Sequence, residues 1–285
     1  AQARSDSEVA QARSDSEVGT SEEEQLTSDM CIECHTFHSC ALAHYGTSQI
    51  TDEGIIESLK MSPKLQNRKY DMFIVDECQD MTRHYMNFVK KLVLDYGVEE
   101  NMRVCLLGDE RQLIYKFKGA CYTYTYVLIE YFKEKYSIDF VTIESIFSYR
   151  ITSSMAGILR EGYAVNIESA SINMKNKVRF IHTDNRWYAA YCECIYYLNE
   201  CGYCESDIYI ISASVKSPHN RSSVSYMQQL LTEKNILIEI TSMNMNSSYS
   251  CNNKLVISSL HGLKGMENKI VIFVMFDESF DKLYP

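Results

Sequence analysis

The chain has 285 residues, 46% hydrophobic and 23% charged, with a formal charge of −10. That balance can build a core and excludes a fully disordered or collagen-like chain. At roughly 100–200 residues per domain, it predicts two domains or one large one. No run of about 18 apolar residues occurs, so no membrane span is expected. The opening residues have no apolar stretch, so no secretory signal is read and an intracellular setting, nuclear or cytoplasmic, is expected. Eleven cysteines, an odd number, fit reduced thiols better than a disulfide framework.

Residues 1–26 read as an acidic tail, with seven acids against two bases and AQARSDSEV present twice in succession. It is too polar to offset the entropy of ordering. Beyond it, apolar runs alternate with helical patterns. YDMFIV at 70–75 is rich in strand formers and runs into acids. Thr82–Tyr96 spaces Met86, Val89, Val93 and Tyr96 along one helix face, and Gly97 stops it. RVCLL at 103–107 predicts a second strand, 122–136 a helix and 140–146 another strand. A second set follows: strands at 177–182, 207–212, 236–240, 255–259 and 269–275, with helices around 186–199 and 223–233. Apolar strands alternating with helices predict an α/β fold with parallel sheets covered on both faces. The division falls near 140–149, giving a tail at 1–26 and α/β units at 27–144 and 145–285.

The sharpest local signal is FIVDECQD at 73–80, which sets Asp76 and Glu77 at the carboxyl end of a strand. Ligands bind at that edge of an open parallel sheet. An aspartate there suits Mg²⁺, and an adjacent glutamate can deprotonate water. Taken alone, such acids are better read as strand-end acids that cap the next helix.

The wider context points further. DECQD at 76–80 resembles the DExQD box of UvrD/Rep-type superfamily 1 helicases. LGDERQLIYKFKGA at 107–120 resembles that family's GDxxQxIYxFxGA box, and FSYRIT at 147–152 its NYRS/T box, with Ser148 for the usual asparagine. SSLHGLKGME at 258–267 is similar to THxxKGLE, and HTFHS at 35–39 to TFHS. The five boxes stand in family order, and their wording is most like compact viral and protist members.

The resemblance implies two RecA-like parallel-sheet domains, both incomplete, with a nucleotide cleft between them. It implies ATP hydrolysis with Mg²⁺ coupled to movement along single-stranded DNA, in the family's 3′ to 5′ direction. By the same resemblance Asp76 would hold Mg²⁺, Glu77 would activate water, Gln112 would sense the γ-phosphate and Arg150 would act as an arginine finger. Tyr149 would stack on adenine, Gly265 would allow close approach and Glu267 would accept from the ribose. Thr36, Phe37, His38, Tyr115, Phe117 and His261 would face single-stranded DNA. Each of these aromatics, taken alone, is equally at home in a core.

Two features of the family have no counterpart in the sequence. None of the 11 glycines precedes a lysine, so no GxxxxGK[ST] loop is present, and the last arginine box (VAxTRA) is absent too. We therefore expect a truncated chain of an active enzyme with little turnover of its own. The alternative is a catalytically inactive, helicase-derived module that binds DNA or protein. A zinc-stabilised interaction protein is the third reading, from Cys31-x-x-Cys34-His35-x-x-His38 and from Cys192, Cys194, Cys201 and Cys204. Residues two apart on a helix point in different directions, which argues against Cys192 and Cys194 sharing an ion.

Overall fold

The computed structural model describes residues 32–98, 100–170, 177–213, 215, 223–241 and 253–274. The acidic tail, Cys31 and Cys251 lie outside these residues. Two compact units are formed. The first holds the described residues up to Asp109 together with Ala120–Leu128, and the second holds Glu110–Gly119 and the described residues from Ile129 onward.

In the first unit, α1 (Phe37–Tyr45) starts at Thr36, whose hydroxyl accepts the Ser39 N–H, and ends at Gly46 in the left-handed region. After α2 (Asp52–Ser58), β1 (Met72–Val75) pairs in parallel with β2 (Arg103–Leu106), Met72 opposite Arg103 and Val75 opposite Leu106. Parallel pairing needs a crossover, and α3 (Arg83–Tyr96) supplies it. Thr82 caps α3 by accepting the Tyr85 N–H, and the predicted face of Met86, Val89, Val93 and Tyr96 is buried with Phe88. The Tyr96 hydroxyl donates to the His44 carbonyl at 2.7 Å, which ties the end of α3 to α1. The helix ends at Gly97, whose backbone turns extended, and a Cβ there would lie 2.5 Å from the Met102 sulfur and 2.6 Å from the Val93 carbonyl. Helix α4 (Thr123–Tyr136) begins in this unit, where Thr125 donates to the Cys78 carbonyl at 3.3 Å.

The second unit contains a short parallel pair, β3 (Phe147–Ser148) with β4 (Glu168–Ser169), bridged by α5 (Ser153–Tyr163). Its main sheet follows α6 (Arg186–Asn199). It is built from β5 (Ile208–Ser212), β6 (Ile238–Thr241), β7 (Leu255–Ser259) and β8 (Ile270–Val274), with α7 (Ser223–Thr232) between β5 and β6. The strand order is β6-β7-β5-β8 and every pairing is parallel. Central strands β5 and β7 are buried at all five positions. Ile208, Ile210, Leu255 and Ile257 pack against Trp187, Ala190 and Cys194 of α6 and Val224, Met227 and Leu231 of α7. Tyr209, Ile211 and Val256 face the other way, toward Leu263. Residues alternate faces along a strand, so two covered faces require the apolar runs read from the sequence.

Two expected strands are absent. Residues 140–146 are irregular, with Val141 and Ile143 more than four-fifths exposed, and 177–182 are irregular, with Phe180 exposed. A strand is held by its ladder, and among the described residues neither segment pairs with another strand; of the first, only the Ile146 carbonyl accepts a bond, from the Glu168 N–H. The pairing near the first begins only at Phe147. Among the described residues, no helix is long and apolar enough to cross a membrane.

Candidate active site

In the first unit, Asp76 and Glu77 follow β1 directly and both are exposed. The chain turns sharply there. Glu77 has φ 54, in the left-handed region, and its N–H donates to Asp76 Oδ1 at 2.9 Å. Such a backbone is uncommon for a residue with a Cβ, and here it turns the chain from the strand into the short helical turn Cys78–Asp80. Cys78 is buried, its N–H donates to the Leu107 carbonyl at 2.8 Å, and burial pushes its thiol up to about 12. Gln79 lies beneath Glu77, 1% exposed, with its amide nitrogen donating to Glu77 Oε2 and its oxygen accepting the Asp109 N–H at 3.1 Å. Sequence reasoning passed over Gln79, since only the fold reveals that both ends of its amide are used.

The TFHS segment opens α1. Phe37 is half-buried and stacked on Tyr85, with ring centres 4.8 Å apart and planes 3° from parallel. His38 Nε2 lies 2.9 Å from Asp52 Oδ1, and the Tyr85 hydroxyl donates to the same oxygen at 2.5 Å. Thr36 is exposed and serves as the helix cap. His35 turns instead toward Glu33, 3.5 Å away, so the two histidines of this run face different carboxylates.

Glu33 centres a polar cluster. The Tyr70 hydroxyl donates to it at 2.7 Å and Arg68 pairs with it; that hydrogen bond first, then the Arg68 charge, holds its carboxyl below the usual range. His44 is 3% exposed, its Nδ1 has no hydrogen-bond partner among the described residues, and burial pulls its pKa down against the opposing charge of Glu33. The unfolded chain takes up a proton near pH 6.5 that folded His44 resists. Stability is therefore complete above that value and falls as pH drops through it toward the lower folded value; Glu33 adds its own loss further down, below the ordinary carboxylate range. We expect melting temperature to fall between about pH 7.5 and 5.5, and the slope to flatten in His44→Phe. An unchanged slope in that variant would remove His44 from this account.

In the second unit, Phe147, Ser148, Tyr149, Arg150 and Glu267 line a pocket of about 430 Å³. The Ser148 hydroxyl accepts the N–H groups of Arg150 at 3.3 Å and Ile151 at 3.4 Å. An asparagine side chain can accept in the same way. Arg150 Nε donates to Glu267 Oε2 at 2.7 Å, with both side chains more than half exposed. The Tyr149 ring is 82% exposed. Gly265 has φ 78, and among the described residues nothing beyond its own chain neighbours stands within 4 Å of where a Cβ would sit.

In the same unit, Tyr115, Phe117 and His261 form one aromatic group. The His261 ring lies 5.4 Å from Tyr115 and 5.1 Å from Phe117. His261 Nε2 faces the Ile114 carbonyl at 3.1 Å, which requires the proton on Nε2. Lys118 and Lys264 hold their amines 5.0 and 5.2 Å from the Tyr115 ring centre. Sequence reasoning missed both lysines; their signal is the basic and aromatic interleaving of 115–118 and the lysine three residues after His261. Gln112 closes the short turn Glu110–Gln112 and is exposed.

Cys194 is buried among core side chains, while Cys192, Cys201 and Cys204 are exposed. Among the described residues, no three His, Cys, Asp or Glu side chains are grouped to hold a metal ion.

Residues 24–135 match the family model of the UvrD/REP helicase N-terminal domain. The matched range contains β1, α3, β2 and the Asp76–Glu77 turn, and its parallel α/β arrangement is consistent with a RecA-like domain. No curated protein matches the chain.

Proposed function

We propose that this chain acts as a UvrD/Rep-type helicase, hydrolysing ATP with Mg²⁺ and moving along single-stranded DNA. The observation that carries this reading is the Asp76–Glu77 pair: two exposed carboxylates at the carboxyl end of a parallel strand, inside the segment that matches a helicase domain. On this reading each compact unit is a RecA-like domain.

The residues present fit part of what the reaction requires: they can meet the metal, the water, the base and the ribose, while the sequence has no GxxxxGK[ST] loop to cradle the phosphates. Mg²⁺ takes hard oxygen ligands and is often held by one or two carboxylates plus phosphates, a part open to exposed Asp76. Bound Mg²⁺ would neutralise charge on the transferring phosphoryl group. Glu77 takes the proton of the attacking water, and Arg150 offers its guanidinium to the charge that develops. Gln112 reads the γ-phosphate. Tyr149 presents an open ring face to the base, Glu267 accepts from the ribose, and Gly265 leaves room for close approach. Tyr115, Phe117 and His261, flanked by Lys118 and Lys264, combine stacking faces with cations, the pairing that suits a strand of any sequence. Thr36, Phe37 and His38 are proposed as further strand contacts.

The test is phosphate release from ATP with Mg²⁺, with and without an oligothymidylate. Stimulation by the strand supports the reading. Strand binding without turnover would leave a helicase-derived binding module, and neither activity would overturn the assignment. Phe117→Ala removes a ring that is 63% exposed, so the fold should tolerate it. Base–aromatic stacking is worth about 1–3 kcal/mol, so strand affinity should fall by about 5- to 150-fold. Fluorescence anisotropy measures this, and an unchanged affinity would remove Phe117 from the contact.

A further inference from the structure

We propose that Gln79 is a positioning residue that couples Glu77 to the segment beginning at Glu110; its catalytic meaning rests on the function proposed above. The side chain is almost completely buried and its amide is used at both ends. A backbone N–H can only donate, so the contact with Asp109 fixes which end of the amide is oxygen. The other end is then NH₂, which can only donate, and it meets an oxygen of Glu77. Gln79 therefore holds one oxygen of Glu77 in place by donating to it.

The surroundings leave the amide little freedom. A Cβ on Gly108 would fall 2.8 Å from the Gln79 oxygen and 3.3 Å from both Cβ and N of Cys78, so glycine permits this approach. Leu107 closes the same corner, donating to the Val75 carbonyl at 2.8 Å and accepting from Cys78. Asp109 is also the last residue of the first unit before the chain passes into Glu110–Gly119, the stretch that carries Gln112, Tyr115 and Phe117. A pull on that stretch reaches the Asp109 N–H, then Gln79, then the carboxylate of Glu77.

The experiment is a double-mutant cycle read by amide hydrogen exchange at Asp109, with no nucleotide present. Glu77→Ala should speed Asp109 exchange at least about threefold, and Gln79→Met at least about tenfold. Adding Glu77→Ala to Gln79→Met should then change nothing further. Unchanged amides at Phe73 and Ile74 would report an intact strand. If Gln79→Met does not fold, Gln79→Glu keeps an acceptor for Asp109 and removes the donor to Glu77. Asp109 should then stay protected and cease to respond to Glu77→Ala. Asp109 exchange indifferent to Glu77→Ala in the native background, or effects that simply add, would overturn the coupling. A chain that hydrolyses no ATP would defeat the proposed function without touching this cycle. In a chain that does, Gln79→Met should lower kcat more than about tenfold with KM for ATP nearly unchanged.

Discussion

Glu77→Gln is expected to lower strand-stimulated ATP turnover by about 10²–10⁴-fold, the usual contribution of a positioned general base. The substitution isolates one property. Glutamine has the size of glutamate and can still offer a carbonyl oxygen to the Gln79 amide, so the turn after β1 keeps its internal contact. What disappears is an oxygen able to take a proton. Melting temperature and ATP affinity should therefore stay close to the native values while phosphate release at saturating ATP collapses. Turnover within roughly threefold of native would mean that another group deprotonates the water.

Arg150→Ala should be as damaging, about 10³-fold or more in kcat, because an arginine facing a transferring phosphoryl group carries much of the stabilisation. The fold should not suffer. The ion pair with Glu267 is exposed on both sides, and such pairs contribute about 0–1 kcal/mol. Arg150→Lys keeps the charge but loses the planar fork, so it should recover little. Single-turnover phosphate release separates this from weakened binding. An alanine variant retaining about a third of native kcat would exclude the arginine-finger role.

Much of this was readable in the sequence wherever a residue's task is local. The α3 face follows from helical spacing, and its end from Gly97. The apolar runs of β5 and β7 announce strands covered on both sides. The Asp76–Glu77 turn stands out because a strand runs straight into acids. What escaped depends on neighbours distant in the chain. Residues 140–146 and 177–182 have strand-like composition, but composition cannot supply a ladder partner. Lys264 gains meaning only when Tyr115 stands beneath it, and Gln79 only when Asp109 is brought to its oxygen. Phe37, a candidate strand contact by its motif, is also a packing residue on Tyr85, and one letter in a sequence cannot separate the two roles.

The path of the chain has a practical consequence for anyone dividing this protein. The two compact units are interleaved in sequence, for the chain changes unit after Asp109, after Gly119 and after Leu128. No single cut releases both units whole. A cleavage after Leu128, the obvious place to split the gene, would leave Tyr115 and Phe117 on the first fragment and His261 on the second, dismantling the aromatic group while sparing every strand of the four-stranded sheet. On the function proposed, a split pair would then bind a single strand only on recombination, through the ten-residue excursion Glu110–Gly119 finding its place again.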